Sequence, residues 1–77
     1  MKFRQHDLAV LSHDPDAVVW RVIEVNGPLI EVVDAALQSK LARVGLRPTS
    51  HAVRRAHLKR LTYEQLKTWN SQDYNQD

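Results

Sequence analysis

Two runs rich in β-branched residues, 17–25 and 28–34, flank the pair Asn26-Gly27. No other stretch limits the fold as much. A two-residue hairpin turn of type I′ needs positive φ at both central positions, and Asn and Gly tolerate it. The pattern therefore predicts a β-hairpin turning on Asn26-Gly27. Pro28 has no N–H for a ladder, which places it at the first position of its strand or on an edge. Trp20, Val22, Ile23 and Val25, with Leu29, Ile30, Val32 and Val33, are the expected core.

Residues 6–12 read as a short strand whose apolar content suits a central or doubly covered position. His13-Asp14-Pro15-Asp16 reads as a turn, because Asp bonds its own backbone and Pro presets φ. With the hairpin, this strand makes a three-stranded antiparallel meander. Asp34 then serves as the N-cap of a helix over 35–44, with Gly45 just past its end and Pro48 beyond. Leu37, Leu41 and Val44 form its apolar stripe. A helix over 50–61 would scatter Arg54, Arg55, His57, Lys59 and Arg60 around its circumference. The preferred reading there is a short strand at 52–55, a single turn at 56–58, and a further short strand to Leu61, with Val53, Leu58 and Leu61 inward. Thr62-Tyr-Glu-Gln65 is a capping box, and Leu61 and Leu66 stand at staple positions, so a short C-terminal helix is expected near 63–69. Tyr63, Leu66 and Trp69 would dock it. The expected fold class is α+β, a small antiparallel meander able to close as an SH3-like barrel. A single small domain spans 1–70, followed by a frayed polar tail at 71–77.

The chain has 77 residues and no cysteine, so neither a disulfide framework nor a zinc ribbon supports its small core. The absence fits a reducing cytoplasm, the expected compartment, or an obligate partner. No apolar run approaches the roughly 18 residues of a membrane span, and a soluble, unprocessed protein with no membrane partner is expected. The net charge of +2 hides a division along the chain. Residues 1–39 hold three basic and six acidic side chains, whereas residues 40–67 hold eight basic side chains against Glu64 alone. Such a basic block is the usual footprint of a polyanion or an acidic protein surface.

The sequence Val18-Val-Trp-Arg-Val-Ile-Glu-Val-Asn-Gly-Pro-Leu-Ile-Glu-Val32, followed by Arg55-Ala-His-Leu-Lys-Arg-Leu61, resembles the strand-turn-strand and closing-turn pattern of small SH3-like barrels of the KOW and Tudor type. The helix expected over 35–44 stands where those modules usually have a turn. The resemblance implies binding of nucleic acid or protein and carries over no individual site residue.

No catalytic constellation is expected. His6-Asp7 and His13-Asp14 imitate the His-Asp pair of metal phosphohydrolases but lack the further ligands, so they read as solvated or turn-capping groups. His51 and His57 have no metal-ligand spacing, and no metal or cofactor is anticipated. Ser12, Ser39, Thr49, Ser50 and Thr62 sit in no nucleophile elbow. Glu24 and Glu31 on the hairpin arms read as solvent-facing. Gly27 and Gly45 are too few for a phosphate loop. The basic block is the remaining candidate, with Arg43, Arg47, Arg54, Arg55, Lys59 and Arg60 as the expected contacts to a partner. Arg predominates, and its planar fork suits phosphate or carboxylate. Trp69, Tyr63 and Tyr74 could stack on bases, although core packing is the expected use of Trp69. The expected function is therefore a non-catalytic binding module contacting nucleic acid. The alternative is a small regulatory or inhibitory protein docking an acidic protein surface. A small-molecule site is expected only in a homo-oligomer, because a monomer of this size has little room for a pocket.

Overall fold

A computed structural model describes residues 2–16 and 18–72. Five strands and two helices follow in order: β1 (Leu8–Leu11), β2 (Trp20–Asn26), β3 (Leu29–Asp34), α1 (Ala35–Ala42), β4 (His51–Arg54), a 3₁₀ turn (Arg55–His57), β5 (Leu58–Arg60) and α2 (Tyr63–Asn70). The strands form one antiparallel sheet in the order β4-β3-β2-β1-β5, which makes β4 and β5 its two edges. The fold is thus α+β, as expected. Both strands and the turn anticipated between residues 50 and 61 are present, with Leu58 buried and Val53 and Leu61 half-buried.

The hairpin forms, but its turn is displaced by one residue from the expected one. Asn26 pairs with Leu29 in the ladder, leaving Gly27 and Pro28 as the two loop residues. Gly27 has φ +61°, and Asn26 is not among the residues with positive φ. A left-handed first position followed by proline, whose ring holds φ near −65°, is the sign pattern of a type II′ turn, not type I′. Pro28 drives this choice. Centring the turn on Asn26-Gly27 would put Pro28 in the ladder, where its missing N–H leaves a gap, while in the loop it owes no donor. Its carbonyl is still used, accepting the Arg55 N–H at 2.9 Å.

β2 carries a bulge. Pairing steps from Val22 opposite Val32 to Glu24 opposite Glu31, so Ile23 is the extra residue. Strict alternation would put Val22 and Val25 on opposite faces, and the inserted residue returns both to the core side. There Val22, Ile30, Val32, Ala9, Phe3 and Leu58 form a buried cluster, with Leu11, Trp20, Val25 and Val53 packed against it. Each fully buried aliphatic side chain is worth roughly 1.5–3 kcal/mol. Val10, Val33, Ala35 and Trp69 are also buried. Alternation along β1 and β3 points Val10 and Val33 to the opposite face from Ala9 and Val32, so the sheet is covered on both sides. Leu29 remains 44% exposed, outside the core expected for it.

Phe3 enters the core from a polar segment that has no periodic pattern. The strand expected from residue 6 begins only at Leu8, because His6 adopts φ +77° in a turn. Asp7 closes that turn, its carboxylate accepting the Arg4 N–H at 2.8 Å. The adjacent His6-Asp7 pair is therefore a turn element.

Asp34 caps α1 as expected, accepting the Leu37 N–H at 3.1 Å. The helix is shorter than 35–44, and its exit closes around Gly45 at φ +75°. The Gly45 N–H reaches the Ala42 carbonyl at 3.2 Å and the Leu46 N–H the Leu41 carbonyl at 2.9 Å, a Schellman closure. The expected stripe is not the buried face, however. Leu37 is 42% and Val44 69% exposed, and the helix buries Ala35. The start of α1 continues directly from β3, and this junction sets which side of the helix meets the sheet.

In α2 the Thr62 hydroxyl accepts the Gln65 N–H at 3.1 Å, and the Gln65 side chain accepts the Thr62 N–H at 2.9 Å. Gln65 also donates to the Pro15 carbonyl at 3.0 Å, so one side chain caps the helix and ties it to the turn at 13–16. Trp69 is buried, as expected. Tyr63 and Leu66, expected to dock the helix, are 78% and 41% exposed. The tail expected to fray at 71–77 lies outside the described residues from position 73 onward, as does Tyr74.

Candidate functional site

The hairpin turn, the end of β4 and the 3₁₀ turn converge on an open cleft of about 1100 Å³, lined by Phe3, Gly27, Pro28, Leu29, Arg54, Arg55, Ala56 and Leu58. It is an open surface concavity and not the enclosed pocket for which a monomer of this size has little room. The 3₁₀ turn carries the chain from one edge strand, β4, to the other, β5. Pro28, Leu29 and Ala56 are exposed and offer apolar surface to a ligand, whereas Phe3 and Leu58 are buried. Arg54 and Arg55 supply the positive charge. Arg54 lies opposite Leu29 on the outer face of the sheet.

The basic residues singled out from the sequence divide into two groups. Arg55 and Arg60 are braces. Arg55 is half-buried and donates from Nη2 to the Gly27 carbonyl at 2.9 Å, and its Nε is buried without a hydrogen-bond partner. Arg60 donates to the Lys2 carbonyl at 2.6 Å, pairs with Asp7 at 3.6 Å and lies 5.5 Å from the centroid of Phe3. It thereby fastens the N-terminal segment across β5. Arg43, Arg47, Arg54 and Lys59 are exposed. Arg54 and Arg55 share the cleft, whereas Lys59, opposite Val10, points to the other face of its strand from Leu58. Arg43 and Arg47 lie at and beyond the end of α1, apart from the cleft lining.

Carboxylates stand near this surface as well. Glu24 and Glu31 lie directly opposite each other in the β2–β3 ladder, on the face that also carries Arg54. Two like charges in a cross-strand pair repel. His51 meets the Trp20 ring edge-on at 5.6 Å, a packing role. Among the described residues no cluster of three or more His, Cys, Asp or Glu could hold a metal ion, and no helix is long and apolar enough to cross a membrane.

Arg54 and Arg55, singled out from the sequence, line the cleft, and so do Phe3, Pro28, Leu29, Ala56 and Leu58, which were not expected there. The available signal was Leu29, an apolar residue beside a turn with a basic strand as its ladder partner. No protein-family model, no curated protein and no solved structure matches this chain.

Proposed function

We propose that the chain is a non-catalytic binding module that takes an acidic segment of a partner protein in the cleft beside Arg54 and Arg55. The carrying observation is the combination of apolar lining and arginine rim in one concavity. A ligand with both carboxylates and aliphatic groups satisfies both features, and Arg is well suited to carboxylate.

Nucleic acid is the second reading. It is favoured by the exposed Arg43, Arg47, Arg54 and Lys59 within residues 35–63, a segment without an acidic side chain. It ranks second because Arg43, Arg47 and Lys59 are not in the lining that holds Arg54, so the exposed cations are not gathered on one concavity. A phosphate backbone is held best by several unopposed cations. The test is capture from lysate by tagged protein, with and without nuclease, followed by identification of what is retained. The acidic-segment reading expects nuclease-resistant capture of a protein with an acidic stretch, weakened by Arg54→Glu. Capture that disappears with nuclease, together with salt-sensitive binding of purified duplex or RNA, overturns it in favour of nucleic acid.

A further inference from the structure

Arg54 both lines the cleft and ends β4, an edge strand of the sheet. β4 pairs with β3 in a register that sets Leu29 opposite Arg54, Ile30 opposite Val53, Glu31 opposite Ala52 and Val32 opposite His51. The Arg55 N–H bonds the carbonyl of Pro28, the next pair in the same register, at 2.9 Å. Hydrogen-bonded and non-hydrogen-bonded pairs alternate along an antiparallel ladder. Arg55–Pro28, Val53–Ile30 and His51–Val32 are therefore the bonded pairs. Ala52 and Arg54 point their N–H groups away from β3, to the side where β4 has no neighbouring strand among the described residues. The Ala52 carbonyl faces the same way.

We infer that a partner segment binds as an added strand along β4, bonded to Ala52 and Arg54, with its end reaching into the cleft at Arg54. The inference rests on the acidic-segment reading and specifies the conformation of that segment. Its side-chain pattern follows from the register. Partner residues bonded to Ala52 and Arg54 lie directly opposite them and project on their face, so these residues are acidic and meet Arg54. The intervening residues project on the face of the half-buried Val53 and are aliphatic. The partner therefore alternates acidic and aliphatic residues with period two. Charge selects it over a second copy of this chain. Two β4 edges brought together would oppose two segments that each carry His51, Arg54 and Arg55 and have no acidic side chain from residue 35 to residue 63, and like charges across a strand pair repel. An acidic residue opposite Arg54 meets the opposite sign, with Glu31 lying one strand further in, beyond Ala52.

The test uses the full chain and a fluorescein-labelled probe peptide, Glu-Val-Glu-Val-Glu-Val-Glu, in an anisotropy titration. Two N-methylated versions carry the same number of methyl groups, one on two Glu nitrogens and one on two Val nitrogens. Methylation at Glu removes the N–H groups aimed at β4 and should weaken binding about tenfold or more, whereas methylation at Val should leave the affinity within about threefold. On the protein, Ala52→Pro removes a donor that no other part of the fold uses, as an edge strand tolerates. It should retain the native far-UV circular dichroism and thermal transition while losing binding. Should that variant fail to fold, the comparison of methylated probes decides by itself. Equal weakening by both methylations overturns the added strand and leaves the acidic-segment reading intact. No binding of the unmodified probe by wild-type protein overturns both. A dimer detected by light scattering and abolished by Ala52→Pro assigns the edge to a second copy and overturns the inference.

Discussion

Replacing Gly27 by alanine isolates the conformational cost of the hairpin turn. Gly27 has φ +61°, and a Cβ built there meets no atom within 4 Å. Sterics with neighbours contribute nothing, so the loss is the backbone penalty of holding an L-residue in the left-handed region, roughly 1–2 kcal/mol. For a domain of this size each kcal/mol lowers Tm by roughly 4–8 °C. Asn26→Ala is the matched control. Asn26 lies in the ladder at negative φ, opposite Leu29, and its replacement should change stability by no more than about 0.5 kcal/mol. A type I′ turn on Asn26-Gly27 requires losses in both variants, because Asn26 would then hold positive φ and alanine there would be penalised as well. Urea denaturation followed by tryptophan fluorescence measures both variants, with Trp20 and Trp69 as reporters. Equal losses in the two variants, or an unchanged midpoint for Gly27→Ala, would refute the Gly27-Pro28 turn.

Asp34→Ala removes the side-chain acceptor that caps α1 and should cost about 1 kcal/mol, whereas Gln38→Ala should cost little, as read by the same denaturation assay. Thr62→Ala should also cost about 1 kcal/mol through loss of the α2 cap, and Gln65→Ala should cost more. That side chain bonds both the Thr62 N–H and the Pro15 carbonyl, so faster amide exchange at residues 13–16 should accompany its loss. Protection unchanged there would show that Gln65 acts on the helix alone.

Local chemistry over a few residues determined much of this protein from the sequence alone. Runs of β-branched residues around Gly27 require a hairpin, Asp34 and Gly45 bound a helix, and Thr62 with Gln65 opens another, because caps and turns depend on neighbours in the chain. The breakdown of helical amphipathicity between residues 50 and 61 likewise announced two short strands about a turn, and these supply Arg54 and Arg55 to the cleft. Features that depend on distant partners were decided only by tertiary structure. Pro28 moved the turn by one position because its missing N–H counts only once a ladder exists. The bulge at Ile23 put Val22 and Val25 on one face, and Phe3 entered the core without any periodic signal. The apolar stripe of α1 gave way to Ala35 because the junction with β3 sets the helix orientation. The basic block was visible as charge, but which of its members are braces depended on the carbonyls of Gly27 and Lys2, 28 and 58 residues away along the chain. The cleft and the open edge of β4 arise from strand order, which is a property of pairing between segments and not of any one of them.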